Sequence, residues 1–279
     1  MQDPFRHSMC NEAFQATDFA EVCRTMRSAG YRGIEIAPFT LGEHPEAISA
    51  DRRAELRTIM RDEGLEFAGL HWLMVAPKGL HVTTPDDTLR AASWEHIRRL
   101  VDLCADLGPH GVMVFGSPQQ RGTTGGSTRG EATQRFVEGL ASVAPHAEER
   151  GVRILVEALP KNQTDVLGSL AEAVAVVNAI TSPAVRTMFD THNAVDETEP
   201  HAALVDRYFE YIDHIHVNET DGKHCGRGGY DFKPVLAVLA RRHYRGWVSL
   251  EAFDFSFGGA TIARESLAYL HSQIENIAA

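Results

Sequence analysis

Eight short apolar runs, each followed by a stretch with helical periodicity, recur along the 279 residues. The clearest are GIEIAPF (33–39), EFAGLHWLMV (66–75), GVMVFGSP (111–118), VRILVEAL (152–159), VRTMFDTH (185–192), IDHIHVN (212–218) and GWVSLEAF (246–253). A weaker opening run is RHSMCNEAF (6–14). Short runs of this kind suit strands with both faces covered. Between them, Trp94, Ile97, Leu100, Val101, Cys104 and Leu107 of SWEHIRRLVDLCADLG return every three or four positions, which is one face of an amphipathic helix. SLAEAVAVVNAI and KPVLAVLARRHYRG repeat the pattern. Gly30, Gly64, Gly108 and Gly151 stand near helix ends, where a left-handed cap is expected. Strands alternating with helices call for a parallel α/β sheet. Eight such units in this length predict a single (β/α)8 TIM barrel over residues 1–279, with its active site at the C-terminal ends of the strands. An open doubly wound sheet would carry a glycine-rich turn after its first strand, and MCNEAFQATDF has no glycine.

Bulk properties narrow the function. No apolar stretch approaches the roughly 20 residues that span a bilayer. MQDPFRHSMCNEAF also lacks the layout of a signal peptide, so a cytoplasmic protein without a membrane partner is expected. A formal charge of −11 argues against nucleic acid as a partner, because neutralising phosphates needs a basic surface. The four cysteines are scattered without a CxxC pair, as buried free thiols would be.

The ends of the last four runs carry the chemistry. Glu157 closes the fifth, Asp190 the sixth, His216 the seventh and Glu251 the eighth, so a barrel brings all four to one rim. A single glutamate at a strand end is usually solvated, and a single strand histidine is usually a satisfied core residue. Four successive units doing the same favours a metal site. Three carboxylates and one imidazole suit Mn²⁺ best, with Mg²⁺, Co²⁺ or Zn²⁺ as alternatives, and a cation relieves the repulsion among the acids. His71 and Trp72 at the third run, Glu35 at the second, and Lys161 with Asn162 after Glu157 are candidate substrate contacts. The loop GSPQQRGTTGGSTRGE (116–131), with Arg121 and Arg129, has the composition of a phosphate cradle, a lid or a mobile surface loop.

Taken together, GYRGIEIAPF, VEAL (156–159), MFDTHN (188–193), HIHVNETDG (214–222) and YRGWVSLEAF (244–253) resemble the xylose-isomerase-like TIM-barrel superfamily of sugar isomerases and epimerases. The nearest functional type is the ketose 3-epimerase. The resemblance implies metal ligation by Glu157, Asp190, His216 and Glu251, with the two glutamates as the proton-transfer pair. It also implies enolisation of a keto-sugar, for which the absence of a cleaner phosphate motif favours an unphosphorylated one, and barrels of this group are often homo-oligomers. Two departures fall among the substrate contacts. Relatives often place a histidine three residues after the metal aspartate, whereas Asn193 stands there and the imidazole is His192. HCGRGGYDF puts Arg227 between glycines where relatives carry an acid, and Arg227 or Lys223 is the candidate for the arginine that follows the metal histidine in ketose epimerases. Alternatives are a lyase, dehydratase or C-glycoside-cleaving enzyme using the same enolisation, and a non-catalytic sugar-binding protein on the same scaffold.

Overall fold

Each apolar run folds as a strand of only four to six residues, shorter than the run itself. In a computed structural model describing residues 3–275, the strands are β1 (Arg6–Cys10), β2 (Gly33–Ile36), β3 (Glu66–Leu70), β4 (Val112–Phe115), β5 (Arg153–Val156), β6 (Val185–Asp190), β7 (Ile212–Val217) and β8 (Trp247–Leu250). All pair in parallel in chain order, and β8 closes onto β1. The expected (β/α)8 barrel is therefore present. The tail of the first run, Asn11–Phe14, curls into a 3-10 turn instead of extending the strand.

The connecting helices are α1 (Phe19–Ala29), α2 (Ala50–Asp62), α3 (Asp87–Leu107), α4 (Pro118–Arg121), α5 (Arg129–Glu149), α6 (Leu170–Ile180), α7 (His201–Arg207), α8 (Lys233–Arg241) and α9 (Gly259–Glu275). Several start on an oxygen-bearing cap, which contributes about 1 kcal/mol each. Asp18 caps α1, Ser49 caps α2, and Thr128 forms a capping box with Glu131 on α5. Asp86 caps α3 by accepting from Thr88 and Leu89, so this helix begins earlier than its apolar stripe announces. The six stripe residues, Trp94 to Leu107, are all buried against the sheet. Gly30, Gly64 and Gly151 adopt the positive φ expected of a helix-ending glycine. Gly108 does not: its φ is 176°. It is small because a Cβ there would stand 2.9 Å from the Cβ of Phe67. Cys10, Cys23, Cys104 and Cys225 are buried free thiols. Among the described residues, no helix is long and apolar enough to cross a membrane.

Candidate metal centre and substrate cleft

Parallel register decides which side chains meet at the mouth. Asp190 stands opposite His216 across β6 and β7, and Val217 opposite Leu250 across β7 and β8. Glu251 follows Leu250 directly, and Glu157 follows the last residue of β5. The strands stop one residue short of both glutamates, which frees their side chains to turn inward. Ligand-type atoms of Glu157, Asp190, His216 and Glu251 lie within 4.8 Å of one another, and all four residues are buried. His216 Nδ1 is 3.0 Å from Glu251 Oε2 and 3.6 Å from Asp190 Oδ2. The backbone N–H groups of His192 and Asn193 donate to Asp190 Oδ1 at 2.6 and 3.0 Å. Asn193 Nδ2 donates to Glu157 Oε1 at 2.8 Å and reaches Asp190 Oδ2 at 3.5 Å. The asparagine at the position where relatives often carry histidine thus ties two of the four acids and bases together.

Electrostatics favour a cation here. Burial, reinforced by the nearby Asp190 and Glu251 carboxylates, pushes the Glu157 carboxyl up to about 8. Burial also raises Glu251, against the pull of His216. Burial works to raise Asp190 too, but its hydrogen bond to His216 and the imidazolium charge hold it below its ordinary value. Burial opposes charge on His216, yet the Glu35 and Glu251 carboxylates lift it well above the usual imidazole range. Three buried acids facing one imidazole form a donor set that a divalent ion fits, with hard oxygens dominating and one nitrogen.

Glu35 is not among the residues lining the cleft described below. It is fully buried and accepts from His216 Nε2 at 3.0 Å and His214 Nε2 at 2.8 Å. Its Oε1 therefore turns His216 Nδ1 toward Asp190 and Glu251, as a carboxylate behind a metal-binding imidazole would. Glu35→Gln should weaken cation binding about 10–100-fold by calorimetry, with the circular dichroism spectrum unchanged. His71 is steered in a similar way: its Nε2 donates to Glu12 Oε2 at 2.7 Å.

Above the ligands opens a cleft of about 690 Å³, walled by His71, Trp72, Phe253, His192 and Asn193, with Glu157 and Glu251 on its floor. Trp72 lies between Phe39 and Phe253, at 5.8 and 6.1 Å between ring centroids, with interplanar angles of 24° and 12°. Its φ of 51° is unfavourable for an aromatic residue and is held by this stacking. Asn162, Gln119, Gln120, Gln163 and Lys78 also line the cleft. Of these only Asn162 stood out in the sequence, since polar loop residues carry no periodic signal.

Three residues expected at the substrate are not among those lining the cleft. Lys161 is exposed, and its backbone N–H donates to Asp196 Oδ2 at 2.8 Å. Arg227 pairs with Glu265 at 2.6 Å and lies over the Phe257 ring, away from the cleft. The Lys223 ammonium pairs with Asp221 at 2.6 Å. The two arginines of the 116–131 loop are engaged away from the cleft. Arg121 is fully buried and donates from Nη1 to the carbonyls of Phe115 and Glu157 at 2.9 and 2.8 Å, while Arg129 pairs with Glu172 at 2.6 Å. Arg121 instead fixes the main chain from which Glu157 projects.

Gly116 matters for a reason invisible in the sequence. A Cβ at this position would stand 2.2 Å from Glu157 Oε2. Since Asn193 pins the other oxygen, Gly116→Ala must displace the carboxylate. A shift on the order of 1 Å costs roughly 100-fold in rate. The variant should therefore show that loss in steady-state assays with a nearly unchanged melting temperature.

The model for the xylose isomerase-like TIM barrel matches residues 23–273. This chain belongs to that family. Among its relatives, the ketose 3-epimerase of Arthrobacter globiformis is 25% identical over 185 residues, which take in 66% of this chain and 63% of that enzyme. The D-psicose 3-epimerase of Agrobacterium fabrum is 23% identical over 245 residues, covering 84% of this chain and 79% of that one. Solved structures share the fold. The D-psicose 3-epimerase of Clostridium cellulolyticum H10, crystallised with D-tagatose, superposes with a TM-score of 0.84 at 19% identity, covering 98% of this chain and 99% of that one. The 3-keto-D-glucoside 4-epimerase of E. coli gives 0.82 at 19% identity, covering 96% and 99%.

Proposed function

We propose that the protein is a divalent-metal-dependent sugar epimerase or isomerase that moves a proton on the carbon beside a ketone. The observation that carries this reading is the pair of buried glutamates that share one ligand cluster and both floor the cleft. A cation held by Glu157, Asp190, His216 and Glu251, with Mn²⁺ the best match to the donors, supplies Lewis acidity beside the substrate's carbonyl and hydroxyl oxygens. Glu157 and Glu251 stand at the ends of β5 and β8, three strands apart around the ring, so their carboxylates address a bound sugar from different sides. One removes the proton from carbon, the other returns a proton to the opposite face, and the centre inverts with no change in mass. Asn193 holds Glu157 Oε1 and leaves Oε2 to face the substrate. Trp72 and Phe253, stacked on each other, present an apolar stretch of the cleft wall to a sugar.

A second reading concerns size. A 690 Å³ cleft lies within the range that encloses drug-sized ligands, roughly 300–1,000 Å³, and is roomy for one six-carbon ketose. That favours a keto-sugar carrying a further group, and with it the related chemistry in which enolisation is followed by loss of a neighbouring substituent. Incubation of the Mn²⁺-loaded protein with free ketoses and with 3-keto-glycosides, followed by NMR and mass analysis, separates the two. Epimers of unchanged mass support the main reading, and products lacking a substituent support the second. No reaction on either panel would remove both.

A further inference from the structure

Far from the cleft, the two ends of the described chain meet in a hollow of about 210 Å³ lined by Asp3, His271, Ile274 and Glu275. His7 Nε2 and His271 Nε2 both point at one oxygen, Asp3 Oδ2, at 2.8 and 3.1 Å. The three ligand-type atoms lie within 4.8 Å of one another, and the two imidazoles meet edge to face with centroids 5.7 Å apart. His7 is buried on β1, Asp3 is half-buried, and His271 on α9 has 47% of its side chain exposed. A cation can therefore enter from solvent on the His271 side.

We propose that Asp3, His7 and His271 form a second metal site that takes a borderline divalent cation, Zn²⁺ above all, and ties β1 to α9. Two imidazoles and one carboxylate are a ligand set zinc uses, with the fourth position left to water. With Zn–N and Zn–O bonds near 2.0–2.1 Å, tetrahedral donors stand roughly 3.3 Å apart. To admit the ion, the Asp3 oxygen draws back about 0.2–0.5 Å from each imidazole nitrogen, and the two nitrogens, within 4.8 Å of each other, settle near the same spacing. The cation replaces the two ring N–H protons that now share that oxygen, and the tautomers shift to Nδ1–H. Asp3 is already held in place because its Oδ1 accepts from the Phe5 backbone N–H at 2.8 Å. Glu275, one helical turn beyond His271, lines the same hollow and supplies negative charge on the open side. The site differs from the cleft in chemistry: two nitrogens and one oxygen select zinc over the harder ions that three carboxylates hold.

The test uses the full chain and Zn²⁺ alone. After equilibration with Zn²⁺ and removal of free metal, the wild type should retain two zinc ions per chain. His271→Ala should retain one, as should Asp190→Asn, which breaks only the cleft site. Zn²⁺ at 100 times its dissociation constant should raise the melting temperature of Asp190→Asn by about 5 °C, and this shift should vanish when His271→Ala is added. Because His271 is half exposed on a surface helix, its alanine variant should fold normally. Anomalous diffraction at the zinc edge should place a peak between His7 and His271. A His271→Ala variant that retains as much zinc as the wild type, or an Asp190→Asn protein that retains none, would overturn the site.

Discussion

Glu157→Gln and Glu251→Gln should each lower turnover by at least the roughly 10²–10⁴-fold that a positioned acid or base contributes, while the barrel stays folded. Both side chains are buried and both belong to the ligand cluster, so an amide removes a proton acceptor and an anionic ligand together. The amide is nearly isosteric and stays neutral at every pH, whereas the buried carboxyl, pushed up to about 8, ionises above that value at a cost. Thermal stability of metal-free Glu157→Gln should therefore equal or exceed that of the wild type. The two variants should also differ in kind. If each glutamate serves one face of the substrate, one variant should still exchange the proton of one epimer with solvent, although neither should complete inversion. Wild-type turnover in either variant would end the assignment of that residue.

The second large effect is the response of the protein to pH with and without its cation. In metal-free protein, Glu157 keeps its proton up to about pH 8, whereas in the unfolded chain it loses it near 4.5. The native state then binds more protons across that interval, so stability must fall as pH rises from about 5 to 8. His216, also lifted in the fold, contributes with the same sign, its share being lost as pH climbs through its raised value. Asp190, held low, acts in the opposite sense only in acid. A bound divalent cation ionises the acids and deprotonates the imidazole, so loading at pH 7 should release protons. The gap in melting temperature between Mn²⁺-loaded and chelator-treated protein should widen with pH, reaching about 5 °C or more when metal is 100-fold above its dissociation constant. Parallel melting curves across pH 5.5–8.5 would contradict the cluster as the cation site.

The sequence makes the barrel legible because both periodicities are strong. Strands covered on both faces read as unbroken apolar runs, and α3 shows its stripe from Trp94 to Leu107 in full. The cluster of Glu157, Asp190, His216 and Glu251 is legible for a related reason: in a barrel every strand end points to the same rim, so position along the chain becomes position in space. Depth and direction are what the sequence does not encode. Glu35 and His216 both sit on strands, yet one stands behind the other's imidazole, and only the pleat and shear of the closed sheet decide that. Arg121 looks like a loop cation and is instead a buried brace on two carbonyls, because a short helix turns it back under the mouth. The Arg227 guanidinium pairs with Glu265, 38 residues away, and the Lys161 backbone N–H with Asp196, 35 residues away, partners that no local pattern reveals. The space that Gly116 leaves for Glu157 Oε2 arises only once β4 and β5 lie side by side.

The proposed enolisation can be tested without knowing the final product. The Mn²⁺-loaded protein is incubated in D₂O with the ketose and 3-keto-glycoside panel, and deuterium on the carbon beside the carbonyl is followed by NMR. Incorporation in at least one substrate, abolished in Asp190→Asn and limited at most to one epimer in Glu157→Gln and Glu251→Gln, is the expected result. Conversion of a substrate with no solvent deuterium at that carbon, or exchange that persists in all three variants, would contradict proton transfer by this pair.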